Sequence, residues 1–259
     1  MKNFIILLNS RLIKILANIL KAICYIFHFF FPNKRFTIPS QAKAIIKNKK
    51  PSAIPRILWQ TNFTNRVTLA VYINYIFNRL LAYDFDYRFM ITEDRAEFIK
   101  SNYSQEIFES YSRIQIGAAQ ADFWRLLVLD KLGGVYMDID AHLVWPLSSI
   151  IQPEQTELYI VARKGDISNY FIASKNDNIH LKEMIKVVFK NIEENTKTNV
   201  YVLTGPGVFN EVLNVDKVNT TNYRYTCNQG NFTNDYFQYV DKAEGKWTKA
   251  QEVIDIIKK

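Results

Sequence analysis

The chain has 259 residues, 48% hydrophobic and 14% aromatic, with only 8 Gly and 7 Pro; that composition suits one sizeable folded domain and excludes a disordered or fibrous chain. Its formal charge of +8 sits at one end: residues 1–50 hold ten Lys/Arg and no carboxylate, which leaves 23 basic against 25 acidic side chains in the rest. A near-neutral domain lacks the basic face that nucleic acid requires, so nucleic acid is excluded as its partner. The two cysteines, Cys24 and Cys227, are too few for a disulfide framework and fit a reducing compartment.

In residues 1–31 the polar side chains Arg11, Lys14, Asn18, Lys21, Tyr25 and His28 recur at spacings of three and four. This predicts an amphipathic helix with a polar stripe, lying in a membrane interface with its cations beside anionic headgroups. A spanning helix is the rival, because Ile15 to Phe31 carries Lys21 as its single formal charge, but that length is marginal for a bilayer. A secretory signal fits worse: charges interrupt the apolar run and no small-residue cleavage site follows. Residues 32–54, rich in Lys and Pro, read as a basic linker, and 55–259 as the globular domain.

After Pro55, Arg-Ile-Leu-Trp-Gln60 reads as a short apolar strand. Residues 67–82 have helical spacing, Tyr87 to Ile91 reads as a strand, and Thr92 is placed as the N-cap of the next helix. Strands near 157–162 and 169–173 and a helix over 178–194 complete an alternation that predicts an α/β fold with a mostly parallel central sheet. Ligands of such sheets sit at the carboxyl ends of strands, where Trp59-Gln60 and Asp138 to Asp140 fall.

The most specific stretch is Ala118–Trp145, AAQADFWRLLVLDKLGGVYMDIDAHLVW. Asp122 and Arg125 stand three apart, so on a helix they share a face and reach one ligand. Gly133-Gly134 ends that helix and turns the backbone sharply. Asp138 and Asp140 stand two apart, so on a strand they project from one side, where a hard cation such as Mg²⁺ or Mn²⁺ can bridge them. A metal beside an Arg points to a phosphate ligand.

Taken together, IPRILWQT from Ile54, AAQADFWRLLVLDKLGGVYMDID from Ala118, NYFIASKN from Asn169 and TGPGVF from Thr204 resemble the DXD-containing sugar transferases. The nearest likeness is to Och1-like mannosyltransferases and bacterial capsular-polysaccharide transferases, with the large clostridial glucosylating toxins more distant. The resemblance covers roughly residues 54–210. It implies a GT-A-like, Rossmann-type nucleotide-sugar-binding domain, a nucleotide-sugar donor, a divalent cation (Mn²⁺ or Mg²⁺) and retention of anomeric configuration. Residue by residue, it implies Asp122 on donor ribose or sugar hydroxyls and Arg125 on the diphosphate or sugar. Tyr136 would line the donor pocket, Asp138 would hold the ribose and assist the metal, and Asp140 would ligate the metal directly. Trp59 stands where the toxins carry an aromatic that stacks on uracil, favouring a UDP-sugar over a GDP-sugar, with Gln60 beside it in the donor pocket. Asn169 falls on the acceptor side. The family's C-terminal His before Ser-Trp is missing: Tyr239-Val-Asp-Lys-Ala-Glu-Gly-Lys-Trp247 stands there. Asp241 or Glu244 would supply a third metal ligand in its place, and Trp247 would close over the diphosphate.

The reading is a hexosyltransferase for a glycan or lipid-linked acceptor in capsule or lipopolysaccharide biosynthesis, at the cytoplasmic face of a bacterial inner membrane. A luminal Golgi placement is the alternative, and it would expose the glycosylation sequence at Asn62 beside the donor pocket. One rival function is a phosphohydrolase using Asp138 and Asp140 in the manner of the haloacid dehalogenases. Ala141-His142 departs from that motif, and Asp122 and Arg125 then have no role. The other rival is an inactive membrane adaptor, against which the intact Asp138, Asp140 and Arg125 speak.

Overall fold

A computed structural model describes residues 1–242 and 245–258. In chain order the central sheet takes β1 (Gln41–Ala42), β2 (Ile57–Thr61), β3 (Asp86–Met90), β4 (Gly134–Met137), β5 (Glu157–Val161), β6 (Ile167–Ser174) and β7 (Thr220–Asn222). Their spatial order is β7-β5-β6-β4-β2-β3-β1. Five strands point one way, and β1 and β6 run against them. The expected α/β class and mostly parallel sheet therefore hold, within a sheet that is mixed.

Successive side chains of a strand face opposite sides, and two cores result. Trp59 and Tyr136 project to one face, where α3 (Thr92–Asn102), α4 (Gln105–Arg113), α5 (Gly117–Leu132) and the helix Ile179–Glu194 pack. Leu58, Val135 and Met137 project to the other, covered by α2 (Leu69–Leu81). The core of α5, from Phe123 to Leu129, is buried all round, as expected of a helix with no polar face. Gly133 (φ +65°) and Gly134 (φ +113°) then turn the chain into β4; a Cβ on Gly134 would stand 2.7 Å from the Ile57 carbonyl oxygen. Glycine is required there both by dihedral and by space.

Three expectations change. Thr92 is the first helical residue of α3 rather than its cap; the cap is Ile91, whose N–H donates to the Asp94 carboxylate at 3.2 Å. Residues 32–54 are not a free linker. Phe36–Thr37 pairs with Arg66–Val67, β1 extends the main sheet, and Ile38 and Ile54 are buried.

The third change concerns α1 (Lys2–Phe30), which lies against the domain through Ile6, Ile13, Ala17, Cys24 and His28. Lys21, Tyr25 and His28 of its polar stripe bond to the domain. Lys21 Nζ donates to the Gly230 carbonyl at 3.1 Å, Asn234 donates to the Tyr25 hydroxyl at 2.6 Å, and the Leu69 N–H donates to His28 Nε2 at 3.0 Å. The domain offers these groups hydrogen-bond partners that an apolar side chain could not satisfy. An apolar arc that includes Leu8, Leu12, Ile15, Ile19 and Ile26 is left exposed. By length and composition α1 is also apolar enough to cross a membrane.

Candidate active site

Beyond the carboxyl ends of β2 and β4 lies a cleft of about 430 Å³. Asp122, Arg125, Tyr136, Asp138, Asp140, Asn169 and Trp247 all line it. The two DXD carboxylates are not on a strand, however. β4 ends at Met137, the Asp138 N–H donates to the Tyr170 carbonyl at 2.9 Å, and the Ala141 N–H returns to the Asp138 carbonyl at 3.0 Å. They therefore sit on a turn, which aims both carboxylates at one point instead of along parallel vectors. The Gln229 amide occupies that point, donating to Asp138 Oδ2 at 3.0 Å and to Asp140 Oδ1 at 3.2 Å.

Behind the turn, Arg125 organises a buried network. Its Nη2 meets Asp122 Oδ1 at 2.9 Å and Asp138 Oδ1 at 3.3 Å, and its Nη1 donates to the Asn169 carbonyl at 2.6 Å. The guanidinium carbon lies 4.3 Å from the Tyr136 ring centroid, and the Tyr136 hydroxyl donates to Asp138 Oδ1 at 2.6 Å. Asp122 is further held by the Asn169 amide at 2.9 Å and the Thr204 hydroxyl at 3.1 Å. Burial pushes the Asp122 carboxyl upward in pKa, with Arg125 opposing. Burial and then the neighbouring Asp138 push Asp140 up to about 7. Two close carboxylates on a half-buried turn repel one another, and a cation between them relieves that repulsion.

The residues present fit a hard divalent ion. Asp138 and Asp140 supply oxygen ligands converging within hydrogen-bond reach of one atom, and such ions complete their shells with phosphate and water. No third acidic or histidine ligand joins them among the described residues. Glu244 lies outside the described residues. Asp241 is engaged elsewhere, gripped by Arg35 at 2.5 and 2.6 Å.

Other assignments shift as well. Trp59 is not at the cleft: only 3% exposed, it lies against Trp124 and donates from Nε1 to the Gly133 carbonyl at 2.9 Å. Residue 59 faces α5, so the alternation of β2 sends its indole into the core. Gln60 is fully buried and acts from behind, donating to the Asp138 carbonyl at 3.1 Å. Asn169 lines the cleft, but its amide is engaged by Asp122. The sequence reading missed Gln229, Thr204, Arg95, Lys242 and Lys246, which also reach the cleft or its network. Lys242 and Lys246 lie within the stretch Tyr239–Trp247; Lys246 pairs with Asp235, and Lys242 Nζ stands 5.4 Å from the Phe63 ring centroid.

Residues 70–157 match the family model described as the glycosyltransferase sugar-binding region containing the DXD motif. A relative from Acanthamoeba polyphaga mimivirus, described as the uncharacterized glycosyltransferase L373, is 28% identical over 166 residues. The match covers 59% of this chain and 64% of the relative's length. Among solved structures, the PaToxG glycosyltransferase shares the fold with a TM-score of 0.50 at 20% identity, over 63% of this chain and 70% of that one. The UDP-bound glycosyltransferase domain of the YGT toxin is similar at a TM-score of 0.40 and 12% identity, over 56% and 54% of the two chains. Residues 70–157 thus resemble the DXD-containing sugar-binding region of glycosyltransferases, and the chain spans just under two thirds of the length of the viral relative.

Proposed function

We propose that the chain is a metal-dependent, retaining GT-A-type transferase that moves a hexose from a nucleoside-diphosphate sugar to a glycan or lipid-linked acceptor. The observation that carries this reading is the convergence of Asp138 and Asp140 on one point of a cleft that Arg125, Lys242 and Lys246 also line. A divalent cation held by the two carboxylates supplies Lewis-acid stabilisation of the leaving diphosphate. Arg125 fixes Asp138 through its ion pair and keeps positive charge beside the forming anion, in a pocket where burial strengthens the field. Lys242, over the Phe63 ring, and Lys246, paired with Asp235, add positive charge to the same cleft. The bond from the anomeric carbon to the diphosphate oxygen breaks and the bond to the acceptor oxygen forms on the same face. The acceptor proton passes to the departing phosphate, so no protein nucleophile is required.

The UDP preference loses its original support, because Trp59 lies in the core. UDP-sugars remain the first donors to test, and GDP-sugars the second. The setting we infer is capsule or lipopolysaccharide assembly at the cytoplasmic face of a bacterial inner membrane, with the exposed apolar arc of α1 as the contact surface. The test is a Mn²⁺-dependent thermal-shift screen of UDP-, GDP- and CMP-sugars, followed by donor-hydrolysis assays on Asp140→Ala. We expect stabilisation by one nucleotide class and loss of turnover by at least about a hundredfold in the variant, with the unfolding temperature nearly unchanged. Full activity in Asp140→Ala would overturn the metal assignment.

A further inference from the structure

The donor cleft shares a wall with a second cavity, since Tyr170 and Gln229 line both. That cavity, about 600 Å³, opens between α1 and the domain. Its cations come from three segments: Arg11 and Lys14 from α1, Arg163 from the turn joining β5 to β6, and Arg224 just after β7. No carboxylate lines it among the described residues. None of the four cations enters an ion pair among those residues either; Arg224 Nε donates to the Tyr223 hydroxyl at 3.2 Å. Four like charges around one hollow repel one another and focus a positive potential into it, which an anion relieves. Arginine forks suit phosphate oxygens best. Asn228 and Ser10 also line the cavity, Asn228 donating to the Ser10 hydroxyl at 3.0 Å.

The same helix adds a second feature. Leu8 and Ile15 lie three and four residues from Arg11, on adjoining turns, and both are exposed on the apolar arc of α1. A molecule with its phosphate in the cavity could therefore rest its hydrocarbon along α1 while its far side faced the donor across Tyr170 and Gln229. We propose that this cavity binds the phosphate or diphosphate of the acceptor, and that the acceptor is a phosphate-linked lipid. The proposal rests on the transferase reading of the adjoining cleft.

The test uses the full chain and two probes: inorganic pyrophosphate followed by calorimetry, and flotation with phosphatidylcholine vesicles with or without phosphatidic acid. Pyrophosphate should bind, and vesicles containing phosphatidic acid should be preferred. Arg163→Glu/Arg224→Glu should weaken both by about tenfold or more, whereas Arg163→Lys/Arg224→Lys should stay within about threefold of the parent. If the reversed variant does not fold, Arg163→Gln alone should still lower pyrophosphate affinity measurably. Unchanged affinities in the Glu or Gln variants overturn the cavity. Vesicle binding that falls while pyrophosphate never binds overturns it too, since the cations then act only as membrane-surface charge. Pyrophosphate binding without a preference for phosphatidic acid overturns the lipid acceptor and leaves a soluble phosphate. UDP and Mn²⁺ binding is measured separately on the parent chain: its failure sinks the donor reading, while the pyrophosphate result is read independently of it.

Discussion

Arg125 touches Asp122, Asp138, Tyr136 and the Asn169 carbonyl at once, so its planar fork is used on every side. A lysine at that position keeps the charge but can satisfy only part of this network. Arg125→Lys should therefore lower donor turnover by two orders of magnitude or more and cost roughly 2 kcal/mol of stability, read by kinetics and by urea unfolding. The motif spacing made Asp122, Arg125, Asp138 and Asp140 legible in the sequence, because they lie within one stretch and line one cleft. Trp59 was misplaced for a definite reason. Position 59 follows Leu58, which faces α2, so the pleat must turn the indole toward α5. Gln229 and Thr204 carried no local signal; they reach the carboxylates only through the return of distant loops.

At the scale of elements, the glycine turn between α5 and β4 fixes where the DXD turn emerges. Gly134→Ala places a methyl against the Ile57 carbonyl and the Trp59 indole nitrogen, at a φ of +113°. It should cost about 2 kcal/mol or more, visible as a lowered unfolding temperature and weakened nucleotide binding together. The C-terminal end of α1 carries a pH-sensitive joint. His28 accepts the Leu69 N–H through Nε2, so it must be neutral there. Burial first and then Arg35 hold its pKa below the ordinary 6.5, while the Phe31 backbone and Asp241 pull the other way. A depressed histidine contributes stability that is complete above the unfolded value and lost as pH falls through 6.5 toward the folded one. Protection factors over residues 24–31, corrected for the intrinsic exchange rate, should therefore fall below about pH 6.5, and His28→Asn should blunt that dependence. Helices and strands were legible from periodicity. The docking of α1 and the sheet role of residues 41–42 were not, because both depend on partners far away in sequence.

The whole molecule combines a cleft, a cationic cavity and an exposed apolar arc on one side-helix. Deleting α1 would uncover Val144, Phe232 and Phe237, which pack with it, so truncation confuses membrane release with loss of fold. Substituting the outer arc is cleaner. Leu8→Gln/Leu12→Gln/Ile15→Gln should abolish vesicle flotation while shifting the unfolding temperature by no more than a degree or two, since all three side chains already face solvent. Retained flotation would refute the arc as the membrane contact. The sequence by itself determined the class of fold, the four charged residues of the DXD region and the basic, amphipathic character of the first helix, because each is written in local spacing. Only the tertiary structure decided which face of that helix meets the protein, that Trp59 belongs to the core and that Gln229 closes on both carboxylates. Those outcomes rest on long-range packing and on satisfying buried polar groups, and neither is encoded in any short segment of the chain.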